Sequence, residues 1–293
     1  MSLNTIIAPK VFAKETIRLL DKENIFLSHV DRKYEGEITK AGDSVRVQTL
    51  PKLTFTAQDI TGAGDMSTAV VGSGPGGAIA ASAFALTLEN IIVNRYTEKL
   101  ITIDDFESTQ SNQPLESQVA GRYAEGLGTL FDTEIVTQIL VTDVATIPAA
   151  NKITEAAARS VDNIYNFILA QRAALKKQHV KVANMELFVG VDTETLLLES
   201  SFLKGSDVGA GVFMNGYIGT VAGVPIYTST ELDASDDMIM MTDESVNMVV
   251  QMIGTNSARG TDGNYTNVWS TAVWGLKIFA EKAKSISISS PFA

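Results

Sequence analysis

A chain of 293 residues with 45% apolar and 19% charged side chains can fill one or two sizeable cores, which excludes wholesale disorder. It has no cysteine and only two histidines, His29 and His179, so disulfides, thiolate metal sites and cysteine nucleophiles are excluded and histidine-based catalysis has little to work with. A net charge of −11 argues against a strong sequence-independent grip on DNA, which needs a basic surface.

No apolar run reaches 18 residues, so no membrane-spanning helix is expected. Pro9, Lys10 and Lys14 stand where a signal peptide would need an apolar stretch, and the expectation is a soluble protein made in a cytoplasm. Residues 9–28 read as a core-packing helix with an irregular stripe of Val11, Phe12, Ile17, Leu20 and Phe26; His29 follows it as a helix-terminus cation. Residues 37–47 alternate as a strand entered through the Gly42-Asp43 turn. The stretch from Thr61 to Ala83 is rich in Gly, Ala, Ser and Thr, buries little apolar area, and is expected to be mobile. Strand character returns at 91–93 and 99–103, giving a long two-stranded excursion with a loose middle, marginal unless it lies on something else.

The strongest helix follows Asn112, a plausible cap, and Pro114 in the first turn. Leu115, Val119, Tyr123, Leu127, Phe131, Ile135 and Ile139 recur at spacings of four. Each step overshoots the 3.6-residue turn by about 40°, so the stripe winds and different faces are buried at its two ends. A second long helix is predicted over 152–178 from Ile153, Ala157, Val161, Ile164, Ile168 and Leu175, with Lys176 and Lys177 at its negative end and His179 beyond it as a capping cation. Met185–Val191 reads as a buried strand, and Asp192 and Thr193 open a short helix carrying Leu196–Leu198. Phe213–Ser229 is a small sheet piece punctuated by Gly216, Gly219 and Gly223, where tight reversal needs glycine. Residues 244–253 are predicted helical and 273–288 strand-like, with Ile286 and Ile288 alternating with serines. No internal repeat of 20–50 residues is found.

The sharpest chemical motif is Gly72-Ser73-Gly74-Pro75-Gly76-Gly77, which satisfies the dinucleotide fingerprint G-x-G-x-x-G. The strand before it is weak, the segment belongs to a wider glycine-rich stretch with Gly62 and Gly64, and no β-α-β unit follows. A flexible loop tip is the preferred reading; a dinucleotide-binding oxidoreductase using Gly72–Gly77 is the alternative. Asp104-Asp105 with Glu107, and Asp233 with Asp236-Asp237, lack the geometry or spacing of a metal site and read as solvated turn residues. Lys176-Lys177 and Lys282/Lys284 are too small a set for a nucleic-acid footprint. No catalytic, cofactor-binding or metal-ligating residue is assigned, and no cofactor is expected.

Four blocks, in order, resemble the tailed-phage major capsid family with the Hong Kong 97-type fold. Tyr34–Val45 resembles the entry into that family's extended loop. Ile101–Asp105, then Gln110-Ser111-Asn112 to Ala124 and Asp132, is similar to its strand-then-spine-helix passage. Gly216–Ser229 resembles its glycine-hinged segment, and Val273–Lys277 with the alternating tail resembles the strands that close the subunit. The resemblance implies an α+β fold: an N-terminal arm and helix (1–35), an extended β-hairpin loop (36–103), a peripheral domain with a long spine helix (104–140 and 266–293), and an assembly domain (141–265). It implies a non-enzymatic structural protein that self-assembles into hexamers and pentamers of an icosahedral shell in the virion. The shell would enclose double-stranded DNA without sequence-specific binding, as its negative charge suits. Scaffolding, portal and decoration proteins are further candidate partners, and no membrane is involved. In this reading Gly62, Gly64, Gly72, Gly74, Gly76 and Gly77 form an assembly loop, and Gly216, Gly219 and Gly223 an assembly-domain hinge. A bacterial nanocompartment shell of the encapsulin type is the alternative within the same fold.

Overall fold

The computed structural model describes residues 25–35, 44–49, 87–104, 115–200, 217–233, 235–261 and 263–291. The chain divides into two units, Met1–Val45 with Ile91–Ala293, and Arg46–Asn90. Of the smaller unit, the described residues belong to β1 (Ser44–Thr49) and β2 (Thr87–Ile92), which pair as a two-stranded sheet. The glycines Gly62, Gly64, Gly72, Gly74, Gly76 and Gly77, the loop entry at 36–43 and Gly216 lie outside the described residues.

The larger unit holds two sheets. β3 (Arg95–Asp104), β9 (Asn247–Arg259) and β10 (Tyr265–Lys277) form a three-stranded sheet in the order β3-β10-β9, antiparallel throughout. β4 (Lys152–Thr154), β5 (Glu186–Val189), β6 (Tyr217–Val221), β7 (Val224–Thr228), β8 (Met238–Met241) and β11 (Ser287–Ser290) form a mixed sheet in the order β4-β11-β8-β5-β7-β6. Its helices are α1 (Leu115–Thr137), α2 (Ile164–Lys177) and α3 (Val191–Glu199).

The strand period of two sorts the six-stranded sheet between two cores. Phe188, Ile239 and Met241 face a cluster containing Phe26, Leu27, the α1 residues Tyr123, Leu127, Phe131 and Ile135, and Ile139 just beyond α1. Leu187, Val189, Met238 and Met240 face the other way, onto Ile164, Ile168 and Leu175 of α2 and Leu197 of α3. The winding stripe of α1 is buried along its described length: Tyr123 Oη donates to the Ser270 carbonyl (3.1 Å), and Phe131 meets Trp274 edge-on at 5.3 Å. α1 ends in a π turn, Gln138–Thr142, closed by the Asp143 N–H on the Gln138 carbonyl at 2.9 Å.

The helix predicted over 152–178 starts only at Ile164, because β4 pairs in parallel with β11 and the segment between is held by its own polar groups. Asn163 Oδ1 accepts from Ser160 N and its Nδ2 donates to the Ala158 carbonyl, a local alternative to helix. Arg159, with its side chain 4% exposed, pairs with Glu155, reaches Asp236 and Thr193, and donates to the Ser289 carbonyl. Asp236 is therefore a partner of a buried cation, not a solvated turn residue; Asp233 Oδ1 likewise accepts from Val191 N at the start of α3 (2.7 Å). Residues 244–253 are not helical: a turn at 242–246 leads into β9, whose Met248, Val249 and Val250 find their place against β10. The run 273–288 is divided, with β10 ending at Lys277, a 3-10 turn over Lys282–Ser285, and β11 in the other sheet. Of the helix predicted over 9–28, the described end is a 3-10 turn, Leu27–His29.

His179 does sit just past the C-terminus of α2, at φ 64°, where the Val180 and His179 N–H groups cap the Leu175 (3.2 Å) and Lys176 (2.9 Å) carbonyls. The hairpin β6–β7 turns through Ala222 (φ 53°) and Gly223 (φ 79°), the two positive-φ residues of a type I′ turn, and Gly219 stands at a register shift with φ 155°.

Candidate functional site

β3 lies at the edge of its sheet among the described residues, paired with β10 from Trp274↔Arg95 to Tyr265↔Asp104. An edge strand presents unpaired backbone donors and acceptors, a template for another strand unless something covers it. Its side chains alternate between two environments. Thr97, Lys99 and Ile101 face Arg122, Gly126 and Leu130 of α1 across a groove of about 370 Å3. On the opposite face Tyr96 is 72% and Leu100 56% exposed, and Leu100 pairs in register with the half-buried Trp269. Just before β3, Ile92 is also 52% exposed. Tyr96 and Leu100 flank the exposed Glu98 on this face, and the apolar area of the two is surface that water disfavours.

The turn that enters β3 passes so close to β10 that only glycine fits opposite it. A Cβ on Gly275 would fall 2.5 Å from the Ile92 carbonyl oxygen and 3.2 Å from Val93 Cα. Arg95 then ties the start of β3 to α1 through an ion pair with Glu134, and to the π turn after α1 through a hydrogen bond to Gln138 (3.1 Å).

The segment 25–35 is fastened to the rest of the larger unit at three places. Asp132 of α1 accepts from the backbone N–H groups of Ile25 and Leu27, each at 3.2 Å. Burial pushes its carboxyl up to about 6, with Glu231 adding to the rise and the backbone N–H groups opposing it. Asp31 pairs with Lys282 (3.1 Å) and Lys33 (3.4 Å), and its backbone bridges to Asn247 at the start of β9. Burial alone would raise the Asp31 carboxyl, but Lys282 and the Lys33 amide and charge hold it below its usual value. The third fastening is His29, whose Nδ1 lies 2.6 Å from Glu186 Oε2 on β5 and 3.4 Å from Asp243 Oδ1 on the β8–β9 turn. Burial works against the imidazolium, yet the two carboxylates outweigh it and raise the His29 pKa. Glu186 is itself pushed up, by burial first and by Asp243.

Of the sequence-stated site residues, Gly219 and Gly223 are described and shape the β6–β7 hairpin, which lies on the far side of the six-stranded sheet from β4. The fastenings at His29, Glu186 and Asp243 were not legible as a set, since their positions are far apart in the chain. Asp132 had a signal: it stands with Gly128 and Val136 in a second buried row of α1, where an acid calls for partners.

No family model matches the chain, and no curated protein does. Solved structures do resemble it. The structure of Mycobacterium phage Che8 superposes with a TM-score of 0.65 at 19% identity, over 91% of this chain and 91% of that one. The capsid structure of the cyanophage P-SCSP1u gives 0.65 at 12% identity, over 92% and 88%. The virus-like particle from Pyrococcus furiosus gives 0.56 at 14% identity, over 96% and 99%. At these identities the likeness is one of architecture, and the chain has the α+β fold of Hong Kong 97-like capsid proteins.

Proposed function

We propose that this chain is the major capsid protein of a tailed double-stranded DNA bacteriophage, self-assembling into the hexamers and pentamers of an icosahedral shell. The observation that carries this reading is the likeness, over 92% of this chain and 88% of the other, to a phage capsid structure. The edge strand β3 with Tyr96 and Leu100 bare on one face supports it, because such a surface is stabilised when another subunit lies on it.

In this reading 1–35 is the N-terminal arm, 36–103 the extended loop, 104–140 with 266–293 the peripheral domain and 141–265 the assembly domain. Strand pairing supports three adjustments: β3 and β9 go with the peripheral sheet and β11 with the assembly sheet. Gly62, Gly64, Gly72, Gly74, Gly76 and Gly77 are the proposed assembly loop, and Gly216, Gly219 and Gly223 the proposed hinge. Packaged DNA is enclosed without sequence-specific contacts, and scaffolding, portal and decoration proteins are the proposed further partners.

A second reading, a nanocompartment shell, is favoured by one observation, the likeness to the Pyrococcus furiosus particle over nearly the whole of both chains. The dinucleotide-binding reading of Gly72–Gly77 gains no support from this fold. The test is expression of the full chain followed by size-exclusion chromatography and negative-stain electron microscopy. Closed shells, sheets or rings of five or six are expected; a compact monomer that also binds NAD(P) saturably would overturn the proposal. Co-purified nucleic acid, as against a co-purified cargo protein, separates the two shell readings.

A further inference from the structure

We propose that His29, Glu186 and Asp243 form a binding site for a borderline divalent cation of the Zn2+ class, fastening the arm segment 25–35 to the six-stranded sheet. The inference does not depend on the shell reading. One imidazole nitrogen, His29 Nδ1, is approached by two carboxylates from separate elements, and the three ligand atoms lie within 4.8 Å of one another. A tetrahedral zinc site with bonds of about 2.1 Å has its ligand atoms about 3.4 Å apart. The His29–Asp243 separation of 3.4 Å already meets this, and the 2.6 Å to Glu186 needs only a small side-chain rotation to open.

A simple ion pair leaves something over here. Nδ1 is aligned with Asp243 Oδ1, so a single proton on that nitrogen serves one carboxylate. Glu186 Oε2, although close, is buried and has no aligned hydrogen-bond donor. A buried carboxylate oxygen without a donor is costly, whereas a divalent cation accepts all three ligands at once.

The ligands are also held in place. The imidazole packs against Tyr227 at 4.5 Å and Phe188 at 5.4 Å between ring centroids, which fixes its plane. Glu186 is on β5, paired with Met241 of β8. Asp243 is on a turn closed by Thr242 N on Ser245 Oγ (3.0 Å) and Ser245 N on the Thr242 carbonyl (2.9 Å). Rigid supports of this kind favour a defined coordination geometry. Asp243, with its side chain 70% exposed, gives an entry path and leaves room for water as a fourth ligand. One nitrogen and two carboxylates suit Zn2+ or Co2+; Mg2+ and Ca2+ ask for six or more oxygens and should bind much more weakly.

The test is a Co2+ titration of the folded full-length chain, followed by visible absorption, with Zn2+ displacing the Co2+. The absence of cysteine and the presence of only two histidines make the assignment clean. Expected is about one Co2+ per chain, lost in His29→Gln, weakened on the order of tenfold or more in Asp243→Asn, and unchanged in His179→Gln. Asp243→Asn changes an exposed turn residue and keeps the test decisive even where His29→Gln fails to fold. No saturable Co2+ binding by the wild type, binding that is lost in His179→Gln, or affinity indifferent to Asp243→Asn overturns the proposal.

Discussion

The two sheets of the larger unit differ in how they are sealed. In the six-stranded sheet, Met238, Ile239, Met240 and Met241 are each 0% exposed in one unbroken row. Successive residues point to opposite faces, so both faces are covered, one by the cluster around α1 and the other by α2 and α3. In the three-stranded sheet, β10 seals one face with Val268, Ala272, Trp274 and Leu276, while β3 leaves Tyr96 and Leu100 bare on the other. The first sheet is complete within one chain. The second leaves apolar surface exposed, as the proposed shell subunit would need for its neighbours.

The largest effect is expected where both faces are sealed. Phe188 is fully buried, stacked on Phe26 at 4.6 Å and Tyr227 at 5.5 Å. Phe188→Ala should cost about 3–5 kcal/mol through lost burial and the cavity left behind, read as a fall in the denaturation midpoint. A loss below about 1 kcal/mol would show that this face can collapse around the gap, and would remove the distinction drawn between the sheets.

The Asp132 fastening gives the next effect, and it depends on pH. The folded carboxyl titrates at about 6 against an ordinary value of 3.8, so the folded chain holds this proton more tightly than the unfolded one. Its contribution to stability is therefore full below about pH 4 and falls as pH rises through 6, by roughly 3 kcal/mol in all. Asp132→Asn loses one acceptor for the Ile25 and Leu27 amides and should lower the plateau. Against wild type it should also remove the downward slope between pH 4 and 6; parallel pH–stability curves for the two proteins would refute the assignment.

What the sequence made legible follows from where the information is local. The spacing-four stripe of α1, the buried strand before α3 and the reversal marked by Gly223 are each written in nearby residues, and the structure has them in the buried run from Tyr123 to Ile139, in β5 and in the β6–β7 turn. The errors fall where a distant partner decides. Ile153 fits a helical stripe, yet β11 claims it as a parallel strand partner. Met248, Val249 and Val250 are acceptable in a helix, but β10 offers them a twelve-pair register. The local pattern makes His29 a helix-terminus cation, because Glu186 and Asp243 are 157 and 214 positions away, a distance no local pattern spans.

Two glycines sharpen the comparison at the junction with β3. Gly275→Ala drives a Cβ against the Ile92 carbonyl, and because backbone must move, a cost of about 1–3 kcal/mol is expected. Gly126→Ala, on the groove side of α1, meets nothing within 4 Å and should stabilise the chain by up to about 1 kcal/mol through helix propensity alone. Equal effects of the two substitutions in thermal unfolding would mean that β10 and the strand entry are not in close contact.

The smallest effect on the isolated chain belongs to the bare face, and it is the one that tests the comparison most directly. Leu100 is 56% exposed and Tyr96 72%, so neither contributes much burial to the subunit as described. Leu100→Glu should change unfolding stability by no more than about 0.5 kcal/mol, as exposed substitutions generally do. In an assembly the same carboxylate would be buried against a neighbour without a partner, at a cost several times larger. The expected result is a folded chain with a near-normal melting profile and a sharp loss of closed particles by electron microscopy. Particles in wild-type yield would show that this face of β3 stays in water within the shell, and the exposure of Tyr96 and Leu100 would then need another explanation. A chain that unfolds outright would place Leu100 in the subunit's own core, and the two sheets would no longer differ in kind.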